Sequence, residues 1–221
     1  IGGESSRPGA EPISSEEEIK RISPLLIELG KNTDTTISID TYKSSTANYA
    51  LDNGAHLIND ISGMTHDKKM VNIVSMHKAP IVIMHMKGTP KTMQQNPTYD
   101  NIINEICDFL VKQANIAINA GVSNEKIIID PGIGFGKTFD NNFTLLRRLD
   151  EICSLGYPVM IGPSRKAFIG DVLDLPPDQR IEGTLATIVA GIMNGAKIVR
   201  VHDVKEVNRV VKITEKILAS A

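Results

Sequence analysis

The sequence lacks any window of 18 consecutive apolar residues, so it predicts no membrane-spanning helix. It also lacks an excess of basic charge. Its net charge is −2, so nothing indicates a nucleic-acid partner. Cysteine is scarce: Cys107 and Cys153 are the two thiols, both within helical patterns, and we expect them to be buried in a reducing compartment. No secretory leader is visible, and the sequence predicts a cytoplasmic protein.

Two common phosphate-binding patterns are also absent, although the stretch IDPGIGFGKT (129–138) has the look of one. A P-loop requires glycine where Pro131 stands. The dinucleotide-binding pattern fails because its third glycine falls on Lys137 or Phe139. Asp130 ends a predicted strand here, and a carboxylate in that place would repel a phosphate. The stretch therefore indicates a ligand that binds to a carboxylate.

The sequence does contain an alternation of short β-branched runs and amphipathic helical patterns. The runs are TISID (36–40), HLIND (56–60), PIVIMH (80–85), KIIID (126–130), YPVMIG (157–162) and KIVRVH (197–202). One predicted helix follows the capping box Ser14-x-x-Glu17, and another lies near 101–120. A last helix is predicted by apolar residues at helical spacing: Val204, Val207, Val210, Val211 and Ile217. Strands that are apolar throughout and alternate with helices predict an α/β protein with a parallel sheet buried on both faces.

The number of runs favours a (β/α)8 barrel over an open doubly wound sheet. Such a barrel typically needs about 250 residues, whereas this chain has 221. The segment IGG (1–3) fits the tail of a further strand. We therefore expect a TIM barrel that lacks its first strand, first helix and most of its second strand. No linker or composition shift is visible, which predicts a single domain over 1–221. Because a barrel that lacks these strands cannot close, we expect the chain to be inactive alone.

Polar residues follow the apolar runs. They are Asp40, Asn59 and Asp60, His85, Asp130, the triplet Ser164-Arg165-Lys166 after Gly162, and Arg200 with His202. Ligands bind at the carboxyl ends of the strands in both parallel architectures, so we expect these residues to converge on one mouth. Taken singly, such a carboxylate could equally be a helix N-cap, Lys166 a solvated lysine, and His85 a packed core histidine. His56 and His77 lie towards the other end of the strands, and we interpret them as structural.

The mixture of polar groups predicts a ligand with two chemically different ends. Asp40, Asn59 and Asp130 offer acceptors to a ring with several N–H donors, and a bidentate contact to Asp130 suits a guanidine-like ring such as a pterin. Arg200 and His202 are two residues apart on one strand, so they share a face and suit a phosphate or pyrophosphate. The alternative for Arg200 is a structural ion pair.

With these residues assembled, the chain resembles the dihydropteroate synthases, the pterin-binding enzymes of folate biosynthesis. The motifs that carry the resemblance are GGESSRPGA (2–10), SIDTYK (38–43), INDISG (58–63), MHMKGTPKTMQ (84–94), DPGIGFGK (130–137), GPSRKAFIG (162–170) and RVHDV (200–204). Methyltetrahydrofolate:corrinoid methyltransferases share the barrel and the pterin pocket. The Ser-Arg-Lys loop and the Arg-x-His ending favour the synthases.

The resemblance implies a transferase that condenses 6-hydroxymethyl-7,8-dihydropterin pyrophosphate with 4-aminobenzoate, which gives 7,8-dihydropteroate and pyrophosphate. It implies that Arg200 and His202 bind the pyrophosphate together with Mg²⁺. The implied pterin contacts are Asp40, Asn59, Met84, Asp130, Gly162 and Lys166, with Phe135 packed nearby, and Asp40, Asp130 and Lys166 are the implied catalytic residues. The implied 4-aminobenzoate site is a mobile loop of Ser6, Arg7 and Pro8, together with Ser164 and Lys166.

The chain departs from the family's pattern in several places. Ser6 stands where the family usually has threonine, and Pro163 stiffens the Ser-Arg-Lys loop. The family's first strand carries an asparagine that helps to bind the metal–diphosphate, and an aspartate normally precedes IGGES. Neither is present, so no metal ligand of this chain is predicted. The implied partners are two small-molecule substrates. A homodimer is compatible with the resemblance, whereas neither a nucleic-acid nor a membrane partner is implied.

Three other functions compete with the synthase. A pterin-binding module that presents methyltetrahydrofolate to a corrinoid protein would need no diphosphate site, so Arg200 and His202 argue against it. A metal-dependent barrel hydrolase could use His85, Asp130 and His202, but no His-x-His pair on an early strand is visible. The third alternative is a synthase-like paralogue that has lost activity.

Overall fold

The computed structural model describes residues 1–220 and has the predicted alternation of strands and helices. The strands are β1 (Ser38–Asp40), β2 (Leu57–Asp60), β3 (Ile81–Met84), β4 (Ile127–Asp130), β5 (Met160–Ile161) and β6 (Ile198–Val199). Each lies inside a predicted run and is shorter than it. In the fifth run Pro158 has no N–H to donate to a ladder. Its carbonyl oxygen still accepts a hydrogen bond from Ile129 N of the neighbouring strand, at 3.0 Å.

The strands pair in parallel in chain order. β1 to β4 form one continuous sheet and β5 pairs with β6. A bridge between Ile129 and Val159 joins β4 to β5, and a bridge between Gly2 and Asp40 places the N-terminal segment beside β1. The prediction that IGG continues the sheet is therefore confirmed.

The sheet is strongly curved. Arg200, just after β6, reaches Asp40 at the end of β1, with Nη2 and Oδ2 2.5 Å apart. In a flat sheet, strands five positions apart are about 24 Å from each other, far beyond the reach of an arginine. The curvature brings the first and last strands together around one mouth, which favours the barrel over an open sheet.

Helices cover the outside of this sheet. They are α1 (Ser15–Asn32), α2 (Ser44–Asp52), α3 (Met70–Met76), α4 (Ile102–Asn119), α5 (Phe139–Arg147), α6 (Leu149–Cys153), α7 (Ala167–Leu173), α8 (Ile181–Met193) and α9 (Val204–Leu218). Ser14 caps α1 by accepting from Glu17 N at 3.2 Å. The Glu17 side chain forms an ion pair with Arg21, with Oε1 and Nε 2.8 Å apart, and does not bond the backbone of Ser14. Only half of the predicted capping box therefore forms.

The core lies between the sheet and the helices and is rich in isoleucine. Ile39, Ile58, Ile81 and Ile129 are fully buried on successive strands, as expected for a parallel sheet covered on both faces. None of the helices within residues 1–220 is both long and apolar enough to cross a membrane.

Two predictions about the helices need correction. In α9, Val207 is buried, whereas Val204 and Ile217 are 65% and 61% exposed, so the predicted apolar stripe packs only in part. Cys107 and Cys153 are free and half-buried rather than buried. Each directly follows a buried isoleucine, and one residue turns a helix by about 100°, away from the buried face.

Candidate active site

Four of the predicted ligand-binding residues lie at the carboxyl ends of adjacent strands. Asp40 is paired in register with Asn59, and Met84 is paired with Asp130. Because the strands are parallel, these side chains share one edge of the sheet. Asn59 Nδ2 donates to Asp40 Oδ1 at 2.8 Å. The strand ends therefore present a row of polar groups to the mouth.

Asn59 leaves one atom of this row without a partner. Its amide nitrogen is directed at Asp40, so its carbonyl oxygen, Oδ1, is free to accept. Within residues 1–220, Oδ1 is the one side-chain polar atom that is completely inaccessible to solvent and makes no hydrogen bond. A buried acceptor left unmatched costs about 1–3 kcal/mol. Such an atom at the carboxyl edge of a parallel sheet indicates a ligand with an N–H donor.

Asp130 is a buried carboxylate in the same row. Its Oδ1 accepts from Gly132 N at 2.7 Å, and its Oδ2 accepts no hydrogen bond within the described residues. Burial raises the pKa of Asp130 to about 6, although Gly132 and the positive charges of Lys166, Lys137 and Arg200 oppose that rise. A carboxylate with one oxygen fixed and one oxygen free suits a ligand that carries a positive or strongly donating group.

The glycines after Asp130 allow the loop to approach other parts of the protein closely. Gly132 and Gly136 have φ of 72° and 61°, and a Cβ at Gly132 would lie 1.9 Å from His85 O. A Cβ at Gly134 would lie 2.8 Å from Lys166 Cδ. The bare backbone therefore packs against the segment after β3 and against Lys166.

Phe135 and Lys166 meet beside the strand ends. Lys166 Nζ lies 4.0 Å from the centre of the Phe135 ring, a cation–π contact. Burial lowers the pKa of Lys166 to about 8, while Asp130 raises it and Arg200 lowers it. Both side chains are half-buried. The structure thus brings together the predicted aromatic, the predicted lysine and Asp130.

Lys137 was not predicted as a site residue, yet it is a fully buried cation behind Asp130. Its side chain is 1% exposed. Nζ lies 3.0 Å from His85 Nδ1 and 2.9 Å from Phe135 O. The sequence did carry a signal, because the Gly-Lys pair stands out in the stretch 129–138. Because the P-loop pattern fails at Pro131, that pair by itself does not indicate a site.

His85 is a packed histidine rather than an exposed ligand. Its ring lies edge-on to Phe109 with centres 5.0 Å apart. Burial, followed by the charge of Lys137, lowers the pKa of His85 to about 3. The neutral ring accepts from Lys137 through Nδ1. This supports the interpretation as a satisfied core residue.

Side-chain interactions to the segment after β6 hold the Ser-Arg-Lys loop. Ser164 Oγ hydrogen-bonds His202 Nδ1 at 2.9 Å, which joins two of the predicted site residues. Arg165 has φ of 58° and pairs with Asp203, with Nε and Oδ2 3.0 Å apart. Gly162 lies beneath the loop, where an added Cβ would lie 3.8 Å from Arg200 Cβ.

Arg180, the residue just before α8, supports the Ser-Arg-Lys loop and was not predicted from the sequence. Its guanidinium donates to Leu175 O at 2.8 Å and to Arg165 O at 3.1 Å. Gly170 leaves it room, since a Cβ there would lie 2.2 Å from the guanidinium carbon. No short motif marked this arginine, because its partners are backbone carbonyls.

The predicted anion-binding residues lie at the open side of the mouth. Arg200, with a side chain 57% exposed, pairs with Asp40, the ion pair expected as the alternative to anion binding. His202 is exposed. Partial burial and the charges of Arg165 and Arg200 lower the pKa of His202, with a further contribution from Arg7. Arg7 thus acts on the same region as Arg200.

The segment Ser6-Arg7-Pro8 is an exposed loop fixed at its start. Glu4 pairs with Lys43 at 2.5 Å and accepts from Ile13 N at 3.0 Å. Beyond that anchor Arg7 and Pro8 are exposed and Ser6 is half-buried. A hollow of about 30 Å³ separates the loop from the end of β1 and is lined in part by Ser6 and Asp40. A larger hollow of about 380 Å³ lies at the amino end of β6, beside Ala196 and Lys197, and is separate from the mouth.

Comparison with known proteins identifies the class. Residues 1–202 match the family model described as pterin-binding enzyme. The chain therefore belongs to the pterin-binding enzyme family.

Its relatives within that family include dihydropteroate synthases. The enzyme of Synechocystis is 47% identical over 216 residues, which is 97% of this chain and 75% of the relative. A dihydropteroate synthase of Yersinia pestis, solved with a sulfonamide drug, is 38% identical with a TM-score of 0.96, over 99% of this chain and 79% of that one. One from Xanthomonas albilineans, solved with 4-aminobenzoic acid, is 36% identical with a TM-score of 0.94, over 100% and 79%. The resemblance found in the sequence and the expected barrel class are thereby confirmed.

Proposed function

We propose that this protein is a dihydropteroate synthase that joins 6-hydroxymethyl-7,8-dihydropterin pyrophosphate to 4-aminobenzoate. The observation that carries the proposal is the unmatched Asn59 Oδ1 at the mouth, beside Asp40 and near the strand end that carries Asp130. A pterin presents adjacent ring and exocyclic N–H groups, which match a buried amide oxygen and a buried carboxylate. Family membership supports the same ligand.

The pterin end of the substrate would lie against the strand ends. Asp130 Oδ2 and Asn59 Oδ1 accept from the ring, while Met84 and Phe135 contact its faces. Gly162 and Lys166 complete the contacts. Charge-assisted hydrogen bonds of this kind contribute about 1.5–3 kcal/mol each, so Asp130 makes the largest single polar contribution.

The diphosphate end would lie against Arg200 and His202. Arg200 holds Asp40 in the free protein, and a diphosphate offers it a stronger, bidentate partner. Transfer of Arg200 to the diphosphate would free Asp40 to face the pterin. Ser164 fixes the orientation of the His202 ring through Nδ1, which leaves Nε2 for the anion.

The second substrate would bind between the two loops at the rim. Ser6, Arg7 and Pro8 form one wall, and Ser164 with Lys166 forms the other. Support comes from the Xanthomonas albilineans relative, whose structure contains 4-aminobenzoic acid. The positive charge of Arg7 and Lys166 also suits the carboxylate of this substrate.

The reaction requires no side-chain nucleophile. The bond between the methylene carbon and the diphosphate oxygen breaks, and its electron pair leaves with the diphosphate beside Arg200 and His202. Positive charge develops on the pterin and its methylene, where Asp130 and Asp40 stabilise it. The aniline nitrogen forms the new C–N bond and releases a proton to solvent. The chain supplies electrostatic stabilisation and orientation.

Magnesium, which the resemblance implies, finds no prepared site in the described residues. Within residues 1–220 no three His, Cys, Asp or Glu side chains are grouped to hold a metal, and the diphosphate end is lined by cations instead. The residues therefore fit a diphosphate and do not fit a bare metal ion, and we assign no step to Mg²⁺.

Ordered binding tests the synthase against the methyl-carrier module. Calorimetry would measure 4-aminobenzoate binding with and without pyrophosphate and Mg²⁺. We expect tight binding only with pyrophosphate, because the anion neutralises Arg7 and orders its loop, which removes part of the entropy cost of the second binding event. Absence of binding under both conditions, together with measurable methyltetrahydrofolate binding, would favour the module. Binding of both substrates without turnover would favour the inactive paralogue.

A further inference from the structure

Lys137 is a buried charge that the reaction described above does not use. It is one of the largest side chains that are almost completely inaccessible to solvent. Burying an ammonium group is costly unless it is fully hydrogen-bonded. Nζ has three acceptors, which match its three N–H donors: His85 Nδ1 at 3.0 Å, Phe135 O at 2.9 Å and His85 O at 3.4 Å.

These contacts join the end of β3 to the loop that follows Asp130. The loop fits only because position 132 is glycine: a Cβ there would lie 3.4 Å from Lys137 Nζ as well as against His85 O. The amide of Gly132 is the group that donates to Asp130 Oδ1. Lys137 therefore lies directly behind the loop that aims the Asp130 carboxylate.

Three cations surround Asp130, and they differ in burial. Lys166 is half-buried on the Ser-Arg-Lys loop and Arg200 is exposed and paired with Asp40. Both face the mouth, where the proposed substrates would contact them. Lys137 is buried and bonded to fixed groups, and the neighbouring His85 is neutral. Lys137 is thus the one of these three cations whose position does not depend on a substrate.

We propose that Lys137 is a positioning residue that keeps Asp130 ionised and aimed at the pterin before the substrate arrives. The proposal rests on the proposed function of Asp130. It gives the Gly-Lys pair of the stretch 129–138 a task other than phosphate binding. The charge acts on Asp130 through space, and the backbone contacts act through Gly132.

The titration behaviour of the two groups supports this pairing. Burial raises the pKa of Asp130 to about 6, and Lys137 is among the charges that oppose the rise. Burial lowers the pKa of Lys137 to about 7, and Asp130 is the charge that opposes this fall. Each group therefore favours the charged form of the other. Without Lys137, Asp130 would hold its proton to a higher pH.

Pterin binding as a function of pH tests the proposal. Calorimetry with 6-hydroxymethylpterin would compare wild type with Lys137→Met, which removes the charge, and with Lys112→Met, which changes an exposed lysine of α4. For Lys137→Met we expect the acidic limb of the affinity profile to move up by about one pH unit, the smaller end of the effect of a nearby opposite charge. Lys112→Met should leave the profile unchanged. A loss of affinity that is equal at every pH would show a purely structural lysine and overturn the proposal.

A second measurement does not require the Lys137 variant to fold. In protein with ¹⁵N-labelled lysine, the Lys137 Nζ titration would be followed in wild type and in Asp130→Asn, without any ligand. We expect the pKa of Lys137 to fall in the variant, because coupling between two sites is reciprocal. An unchanged titration would overturn the inference. Failure of the wild type to bind pterin at any pH would instead count against the proposed function and leave this coupling measurable.

Discussion

Buried polar groups at the two ends of the strands differ in whether their hydrogen bonds are satisfied. At the amino ends each is matched: His56 Nδ1 accepts from Ile37 N at 3.1 Å, and Ser75 Oγ donates to Ala120 O at 2.6 Å. At the carboxyl ends Asn59 Oδ1 has no partner, and burial raises the pKa of Asp130 and so disfavours its charged form. The amino ends are thus arranged for stability, whereas the carboxyl ends hold unmatched groups that a ligand can complete.

The largest expected effect on ligand binding is that of Asp130→Asn. The amide keeps the acceptor for Gly132 but loses the charge, so pterin binding should weaken by about 1.5–3 kcal/mol. Calorimetry with a dihydropterin analogue would measure it. Unchanged affinity would contradict the assignment of Asp130 to the pterin.

The same substitution should stabilise the free protein. The ordinary pKa of an aspartate is 3.8 and that of folded Asp130 is about 6, so between these values the folded state binds the proton more strongly. Wild-type stability therefore falls as pH rises through this window and stays lower at neutral pH. Asp130→Asn removes the penalty and should raise the free energy of unfolding at pH 7.5 by about 1–3 kcal/mol. Urea unfolding of both proteins at pH 4 and pH 7.5 would reveal the difference, which should shrink at pH 4.

Arg200→Ala should have a smaller and selective effect. Arg200 is more than half exposed, so screening by solvent limits its contribution. We expect about tenfold weaker binding of the pterin pyrophosphate and almost no change for the bare pterin, because only the first of these two ligands carries a diphosphate for Arg200 to bind. Calorimetry with the two ligands compares these losses directly. Equal losses would mean that Arg200 serves only as the ion pair with Asp40.

Arg180→Ala should act on the second substrate. The guanidinium fixes backbone carbonyls of the loop that carries Ser164 and Lys166, so its loss should loosen that wall of the 4-aminobenzoate site. We expect KM for 4-aminobenzoate to rise about fivefold, with on the order of 1 kcal/mol of positioning lost. Steady-state kinetics with each substrate varied in turn would show whether KM for the pterin pyrophosphate stays constant, as it should.

His56→Ala provides the contrast from the amino ends of the strands. The change leaves the Ile37 amide without its acceptor, which should lower the free energy of unfolding by about 1–2 kcal/mol. Pterin affinity should not change, because His56 precedes β2 and lies at the opposite end of the strand from Asn59. Urea unfolding and calorimetry on the same sample would compare both quantities. A marked loss of pterin affinity would show that the two ends of the strands are coupled, and would contradict the assignment of stability to the amino ends and of binding to the carboxyl ends.

The sequence alone determined the alternation of strands and helices and the residues at which the strands end. These features follow from local periodicity and from where apolar runs stop, so Asp40, Asn59 and Asp130 could be placed at one edge without coordinates. The motifs also indicated the family, which comparison confirmed. The strand lengths were overestimated, because residues such as Pro158 and Gly162 continue an apolar run but do not continue the ladder of hydrogen bonds.

The tertiary structure alone decided which of the converging groups are partners. Arg200 and Asp40 are separated by 160 positions in the sequence, and Lys137 and His85 by 52, and no local pattern encodes such contacts. The burial of Lys137 also depends on the tertiary structure. Lys137 is inaccessible because a curved sheet and a glycine-rich loop close around it, whereas a lysine beside glycine is ordinarily solvated. Asn59 Oδ1 is left without a hydrogen-bond partner because of the positions of all its neighbours, and only the folded chain defines those positions.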